Sequence, residues 1–133
     1  MTDKNLVTRS GIANNFEFAI YLVTVGSQEE AVKVSSGLLD KKLIACSNVI
    51  GGAEKSLFSM YTWQGKVESD SELLLVMKSR TGLMEEIVET VKSLHSYDVP
   101  EVIALPILGG SKEYLDWVVE NTKEPSSQIQ SDL

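Results

Sequence analysis

The sequence predicts an α+β fold that is organised around one long β-hairpin. Three observations carry this prediction. Five stretches have the apolar, β-branched and aromatic composition of strands, at residues 16–25, 43–50, 56–63, 67–80 and 102–108. Apolar residues recur at helical spacing after the first, the fourth and the fifth of these stretches. Between the third and the fourth lies Gln64-Gly65, a pair typical of a tight hairpin turn because glycine supplies the positive φ that such a turn needs.

The first strand and helix are predicted from a clear change of pattern. Residues Phe16 to Val25 are almost wholly apolar, which is typical of a central strand covered on both faces. Gly26 ends this strand, and Ser27 followed by Glu30 forms a capping box. A helix is therefore expected from Gln28 to about Asp40.

A second apolar strand, Leu43 to Ile50, leads towards the hairpin after a break at Gly51-Gly52. The first hairpin arm is largely apolar on both faces and carries Tyr61 and Trp63 near its distal end. Covering one such aromatic removes about 150–250 Å² from water, which is worth a few kcal/mol at roughly 25 cal/mol per Å². Either the tip packs against another copy of the chain, or the ribbon bends back over its own sheet. We favour self-association, because an isolated two-stranded ribbon is marginally stable.

The C-terminal half supplies two helices and one strand. Ser79 or Thr81 is expected to cap the first helix, whose apolar stripe consists of Met84, Ile87, Val88, Val91 and Leu94. Val102 to Leu108 is the last strand, and Pro106 places it at a sheet edge or ends it nearby, because proline cannot donate to a ladder. Ser111 is expected to cap a short final helix that turns Tyr114, Leu115 and Val118 inward.

This order, β-α-β-β-α-β plus a C-terminal helix, predicts a ferredoxin-like split βαβ sandwich with helices on one face of the sheet. The 133 residues and 43% hydrophobic content suit one domain, which we place at residues 16–120. Residues 1–15 and 121–133 lack periodicity and are expected to be flexible.

Composition limits the partners and the cellular compartment that can be expected. A formal charge of −7, from 12 basic and 19 acidic residues, disfavours nucleic acid, since binding phosphates needs a basic surface. One cysteine excludes an intramolecular disulfide and fits a reducing compartment. We find no membrane span and no signal peptide pattern, so a cytoplasmic location is expected.

Candidate metal ligands lie in the loop from His95 to Glu101, which holds the only histidine, a tyrosine and two carboxylates. Imidazole and carboxylate can bind a divalent ion together, although a tight site then needs ligands from elsewhere in the fold or from another subunit. The alternative is a surface histidine that ends a helix. Cys46 is a candidate soft ligand or a buried small residue. Glu68, Asp70 and Glu72 alternate on one strand face, as a carboxylate ladder for hard cations or as a solvated edge.

No nucleophile signature or phosphate-binding loop appears, so an enzyme and an organic cofactor are not expected.

Six sequence segments are distinctive: L-V-T-V at 22–25, K-K-L-I-A-C-S-N at 41–48, Y-T-W-Q-G-K at 61–66, D-S-E-L-L-L-V-M-K-S at 70–79, H-S-Y-D-V-P-E-V-I-A-L-P-I at 95–107 and Y-L-D-W at 114–117. In these segments the chain resembles the CutA divalent-ion tolerance family. The resemblance runs from about Phe16 to Glu120, so only the two ends of the chain lie outside it.

The resemblance implies a ferredoxin-like fold that assembles as a homotrimer through its long hairpins. The implied interface or cleft residues are Tyr61, Trp63, Gly65, Lys66 and Tyr97. It also implies tolerance of divalent cations, copper above all, and the metal-binding residues that we assign are His95, Glu101 and Cys46, with copper or zinc as the ion.

Because such trimers resemble PII-type signalling proteins, the alternative is a sensor or scaffold for a small ligand or a partner protein, with metal incidental. Some bacterial members bind copper through a cysteine in the first strand and two neighbouring histidines. Val23 and Leu94 stand at those positions here, which departs from that ligand set. The segment from Cys46 to Trp63 is also longer than is usual in the family, with Gly51 where proline is common.

Overall fold

The computed structural model describes residues 15–52 and 57–126. The elements are β1 (Phe18–Val25), α1 (Gln28–Asp40), β2 (Cys46–Ile50), β3 (Leu57–Trp63), β4 (Lys66–Arg80), α2 (Met84–Leu94), β5 (Ile103–Pro106) and α3 (Lys112–Glu120). The sheet is antiparallel with strand order β2-β4-β1-β5, and β3 pairs with the distal half of β4. The predicted α+β fold is confirmed. Its element order has one strand more than the predicted β-α-β-β-α-β plus helix, because β2 and β3 are separate strands and both pair with β4.

The core lies between the sheet and the two helices α1 and α2. Alternate residues of β1 and β4 point to this side, and each helix contributes one apolar stripe. The fully buried strand residues here include Tyr21, Val23, Val25, Leu75 and Met77, and the buried helix residues include Ala31, Val34, Leu38, Ile87 and Val91. At roughly 25 cal/mol per Å² of apolar surface, this two-layer packing is the main stabilisation of the fold.

Helix α1 has the predicted bounds, because its start is encoded locally. The Ser27 hydroxyl accepts a hydrogen bond from the Glu30 N–H at 3.1 Å, as the capping box predicts. The carboxylate of Glu30 accepts from the N–H of Gly26 at 3.2 Å, one residue before the N-cap. The hairpin turn is also as predicted, since Gln64 and Gly65 have φ values of 52° and 82°.

The predicted caps of α2 are wrong. Ser79 donates its hydroxyl to the carbonyl of Leu43 at 2.6 Å, and Thr81 donates to the carbonyl of Phe16 at 2.6 Å. The chain enters α2 through a 3-10 turn at Thr81–Leu83, and no side chain caps the helix. Both hydroxyls instead join β4 and the turn after it to distant loops, which local spacing does not reveal.

Two further elements differ from the prediction. Strand β2 begins at Cys46, because residues 43–45 form a bend that is nevertheless buried in the core. In α3, Val118 is buried as predicted, whereas Tyr114 is exposed and lies against Trp117 with ring centroids 5.4 Å apart. The last strand, β5, is at the edge of the sheet and ends at Pro106, so both expectations for that proline hold.

The ordered part of the chain continues past residue 120. Thr122 is buried and accepts a hydrogen bond from Arg80 Nε at 2.9 Å. Arg80 also donates to the carbonyls of Val119 and Thr122, which ties the end of α3 to the end of β4. Thr122 belongs to the segment that the sequence predicts to be flexible, and it packs against the fold here. Residues 1–14 and 127–133 lie outside the described ranges.

Candidate functional site

The hairpin has two chemically different faces, because residues paired across β3 and β4 point to the same side. The uncharged ribbon face consists of Phe58, Met60, Thr62, Val67, Ser69 and Ser71. The acidic ribbon face consists of Leu57, Ser59, Tyr61, Trp63, Lys66, Glu68, Asp70 and Glu72. On the uncharged ribbon face, Phe58, Met60 and Val67 are 67%, 66% and 72% exposed. Three large apolar side chains therefore remain in contact with water within one chain.

The predicted cleft residues other than Tyr97 gather at the distal end of the acidic ribbon face. Trp63 pairs with Lys66 across the Gln64-Gly65 turn, and Tyr61 pairs with Glu68. The Tyr61 hydroxyl donates to the Asp70 carboxylate, and this hydrogen bond raises the pKa of Tyr61 to about 12. Tyr61 and Trp63 are exposed, so within one chain the ribbon does not bend back to bury them.

The side of the sheet opposite α1 and α2 is apolar and partly uncovered. Its residues share one side because they are paired or alternate in the strand register. We define the open sheet face by its apolar residues, Ile20, Leu22, Ile50, Leu74, Val76, Ile103 and Leu105. Lys78 lies on the same side and donates a hydrogen bond to Asn48 there. Helix α3 lies at one end of this face, where the Tyr114 hydroxyl is 3.5 Å from Cys46 Sγ. The hydrogen bond with Cys46 raises the pKa of Tyr114 to about 12.

His95 follows α2 directly and is buried rather than exposed. Its Nε2 lies 2.7 Å from the carbonyl oxygen of Thr24, and its Nδ1 lies 3.1 Å from the backbone N–H of Tyr97. A carbonyl can only accept and an N–H can only donate, so this network assigns the neutral ring with the proton on Nε2. Both ring nitrogens are therefore occupied within the chain, and the surface-histidine alternative does not hold.

Glu30 fixes the same loop from the other side. One carboxylate oxygen accepts from the N–H of Gly26, and the other accepts from the N–H of Ser96 at 2.7 Å. Burial raises the pKa of Glu30, but the hydrogen bonds from Ser96 and Gly26 together lower it by more, so the net direction is down. The second oxygen also lies 3.6 Å from His95 Nδ1. Sequence reasoning identified Glu30 only as a capping residue.

Tyr97 and Glu101 of this loop interact with Glu72 of β4, so three side chains with oxygen atoms act together here. The Tyr97 hydroxyl donates to a Glu72 oxygen at 2.6 Å, and Glu72 is only 5% exposed. Burial, then the hydrogen bond to Glu72, raise the pKa of Tyr97. Burial, then the negative charge of Glu72, raise the pKa of Glu101. Two carboxylates therefore lie close enough to repel each other, with a phenol on one of them.

The structure does not bring the three predicted metal ligands together. Both ring nitrogens of His95 are engaged, and Nε2 contacts the carbonyl of Thr24. In the sheet, Thr24 pairs with Leu74 of β4, whereas Cys46 pairs with Lys78, four residues further along the same strand. At about 3.3 Å per residue, this places Cys46 roughly 13 Å or more from the carbonyl that His95 contacts. Within residues 15–52 and 57–126, no three His, Cys, Asp or Glu side chains form a cluster that could hold a metal ion. The carboxylates at hand suit a hard cation better than copper, which favours sulfur and nitrogen.

The expected carboxylate ladder is divided by the fold. Glu68 and Asp70 are exposed on the ribbon, whereas Glu72 is buried where the ribbon joins the sheet. Alternation along a strand predicts which residues share a face but not which of them a distant loop covers. Glu72 is thus the functional candidate that the sequence pattern alone does not separate from its neighbours.

Comparison with known proteins agrees with this architecture. The model of the family described as CutA1 divalent ion tolerance protein matches residues 19–121. The divalent-cation tolerance protein CutA of Thermus thermophilus is 47% identical over 103 residues, which are 77% of this chain and 96% of that protein. The chloroplastic protein CutA of Arabidopsis thaliana is 47% identical over 104 residues, which are 78% of this chain but only 55% of that protein. The chain therefore spans about half the length of the plant relative.

Solved structures give the same result. The structure of the divalent cation tolerance protein Cut A1 of Thermus thermophilus superposes with a TM-score of 0.75 at 44% identity, covering 80% of this chain and 99% of that one. The structure of CutA1 from Oryza sativa has a TM-score of 0.76 at 40% identity, covering 82% and 96%. None of the helices within the described ranges has the length and apolarity of a transmembrane segment. With most of the chain matched in sequence and in fold, this protein belongs to the CutA1 divalent ion tolerance family.

Proposed function

We propose that this protein binds a divalent cation weakly at the carboxylates of Glu72 and Glu101, at the margin of a contact between copies of the chain. The observation that carries the proposal is the nearly buried carboxylate of Glu72, which the Tyr97 hydroxyl contacts at 2.6 Å. Burial, then the negative charge of Glu72, raise the pKa of Glu101, so the second carboxylate belongs to the same electrostatic environment. A cation bound between the two carboxylates would offset the repulsion between their negative charges.

The chemistry of the donors sets the class of ion. Carboxylate oxygens, with the Tyr97 hydroxyl beside them, are ligands for hard divalent cations such as Mn²⁺ or Mg²⁺. One described chain supplies too few ligands for a closed site, so the remaining ligands have to come from water or from a neighbouring copy. An incomplete set of this kind is consistent with weak binding. Copper or zinc at His95 and Cys46 would require both side chains to leave their present partners.

We further propose that the protein assembles as a homotrimer through the hairpins and the open sheet face. Support comes from the exposed apolar residues of the uncharged ribbon face and from the partly uncovered apolar side of the sheet. The Tyr97, Glu72 and Glu101 group lies where the ribbon joins the sheet, so a copy that covers both surfaces passes beside it. Binding rather than catalysis is the proposed role, because the one histidine has no free ring nitrogen to act as a base. The proposed location is the cytoplasm.

Titration of the metal-free protein with Mn²⁺ tests the cation site, with paramagnetic broadening of amide signals as the readout. Signals near Glu101 and Tyr97 should broaden at low Mn²⁺, and Glu101→Gln should abolish the effect. Glu113→Gln, which removes an exposed carboxylate of α3, is the matched control and should behave as the unsubstituted protein. Broadening that Glu101→Gln leaves unchanged would refute the site. Assembly without cation binding at Glu101 would instead favour a PII-like sensor or scaffold.

A further inference from the structure

The loop after α2 is held by two side chains that form hydrogen bonds to backbone groups of two segments, residues 24–26 and residues 96–97. His95 bonds to Thr24 at the end of β1 and to Tyr97 in its own loop. Glu30, from the first turn of α1, bonds to Gly26 and to Ser96. Two acceptor atoms, His95 Nδ1 and a Glu30 oxygen, thus satisfy two consecutive N–H groups at Ser96 and Tyr97.

This arrangement fixes the direction in which Tyr97 points. The backbone N–H of Tyr97 is anchored on the imidazole, and its ring lies against the same imidazole with centroids 4.5 Å apart. At the far end of the ring, the hydroxyl donates to Glu72 at 2.6 Å. The ring is therefore held at its base by His95 and at its tip by Glu72.

We propose that His95 and Glu30 are positioning residues that hold Ser96 and Tyr97 so that the Tyr97 hydroxyl stays on Glu72, and that neither side chain is a cation ligand. This inference deepens the proposed function: the statement about cation ligands rests on the proposed cation site, whereas the statement about hydrogen bonding does not. The acceptor at His95 Nδ1 is the essential atom, since it alone among the contacts of the ring reaches Tyr97 through a hydrogen bond. The bond to Thr24 orients the ring and secures the tautomer.

The proposal separates two roles that a histidine in such a loop can have. As a ligand, His95 would have to release either Tyr97 or Thr24 to present a lone pair to the metal. As a positioning residue, it is replaceable by a side chain that offers an acceptor at the same distance from the backbone. Asparagine does this, because its Oδ1 occupies the place of Nδ1, and leucine has similar bulk without an acceptor.

The experiment uses the full chain, labelled with ¹⁵N, and compares amide hydrogen exchange at Ser96 and Tyr97 with that at Leu75, a buried residue of β4 that reports global unfolding. In His95→Leu, exchange at Tyr97 should accelerate about tenfold relative to Leu75, the equivalent of one lost hydrogen bond. His95→Asn should retain the protection of Tyr97 within about threefold. Glu30→Gln should accelerate exchange at Ser96 more than at Tyr97, because it converts the acceptor of Ser96 into a donor or a weaker acceptor.

A second measurement follows Mn²⁺ alone. Affinity should fall about tenfold in His95→Leu and remain within about threefold in His95→Asn. The positioning role is overturned if Tyr97 stays protected in His95→Leu, or if His95→Asn is as damaging as His95→Leu in both measurements. Unsubstituted protein that does not bind Mn²⁺ would refute the proposed function, whereas the exchange data would still decide the role of His95.

Discussion

Replacing Phe58 with serine is expected to weaken self-association strongly. Phe58 is 67% exposed in the single chain. Taking roughly 200 Å² for a phenylalanine side chain, about 130 Å² of apolar surface is available for burial. At roughly 25 cal/mol per Å², complete coverage is worth about 3 kcal/mol per copy. Because every 1.4 kcal/mol is tenfold, each copy contributes about a hundredfold to the assembly constant, and three copies about a millionfold.

Sedimentation velocity over a wide range of protein concentration measures the effect. The unsubstituted protein should sediment as a trimer, while Phe58→Ser should dissociate in the micromolar range. Val32→Ser is the control, because Val32 is also exposed but lies on α1, away from the ribbon and the open sheet face. The reasoning is refuted if Phe58→Ser and Val32→Ser sediment alike, or if the unsubstituted protein is a stable monomer.

Three other substitutions test the energetics of the fold and the site by urea unfolding at fixed protein concentration. Glu101→Gln should stabilise the cation-free protein at pH 7, by about 1 kcal/mol or less. Burial and the charge of Glu72 raise the pKa of Glu101, so its contribution to stability is present below the unfolded pKa near 4.3 and is lost as pH rises through the folded pKa. The advantage of Glu101→Gln should accordingly vanish near pH 3, and an advantage that persists there would contradict this reasoning. Tyr97→Phe should lower the free energy of unfolding by about 1.5–3 kcal/mol, because the nearly buried carboxylate of Glu72 loses a hydrogen-bond donor. A loss below about 0.5 kcal/mol, on the order of a surface substitution, would show that this hydrogen bond contributes little. Thr122→Val should cost about 1–2 kcal/mol, since Arg80 Nε loses its buried acceptor, and no loss would show that water replaces it.

The parts of the fold that local sequence determines were predictable. Helix α1 has its predicted bounds because the capping box and the apolar spacing lie within one segment. The hairpin turn was predictable for the same reason, since Gln64 and Gly65 supply the conformation that a two-residue connection needs. Strand β2 was predicted three residues too long, because the buried apolar residues at 43–45 have strand composition but form a bend, from which Ala45 donates one backbone hydrogen bond to Lys78 of β4.

The site depends on contacts that sequence spacing does not show. His95 is bonded to a carbonyl 71 positions away, and Ser96 to a carboxylate 66 positions away. The sequence identified the loop as the place of interest from its composition, but it could not show that the imidazole is already engaged. Thr122 was assigned to a flexible tail because nothing near it in sequence indicates Arg80 as a partner. Long-range hydrogen bonds, rather than periodicity, decided each of these cases.

The alternation of β4 places the proposed cation site beside the surface that the proposed assembly would cover. Even-numbered residues of this strand share one side, so the acidic ribbon face continues past Glu72 into Leu74 and Val76 of the open sheet face. Glu72 stands at the change from charged to apolar residues. A second copy that covers the apolar part would exclude water from around Glu72 and Glu101. With less water, the repulsion between the two carboxylates and their attraction for a cation both become stronger. Cation binding and assembly should therefore favour each other, and Mn²⁺ should shift the sedimentation of the unsubstituted protein but not that of Glu101→Gln.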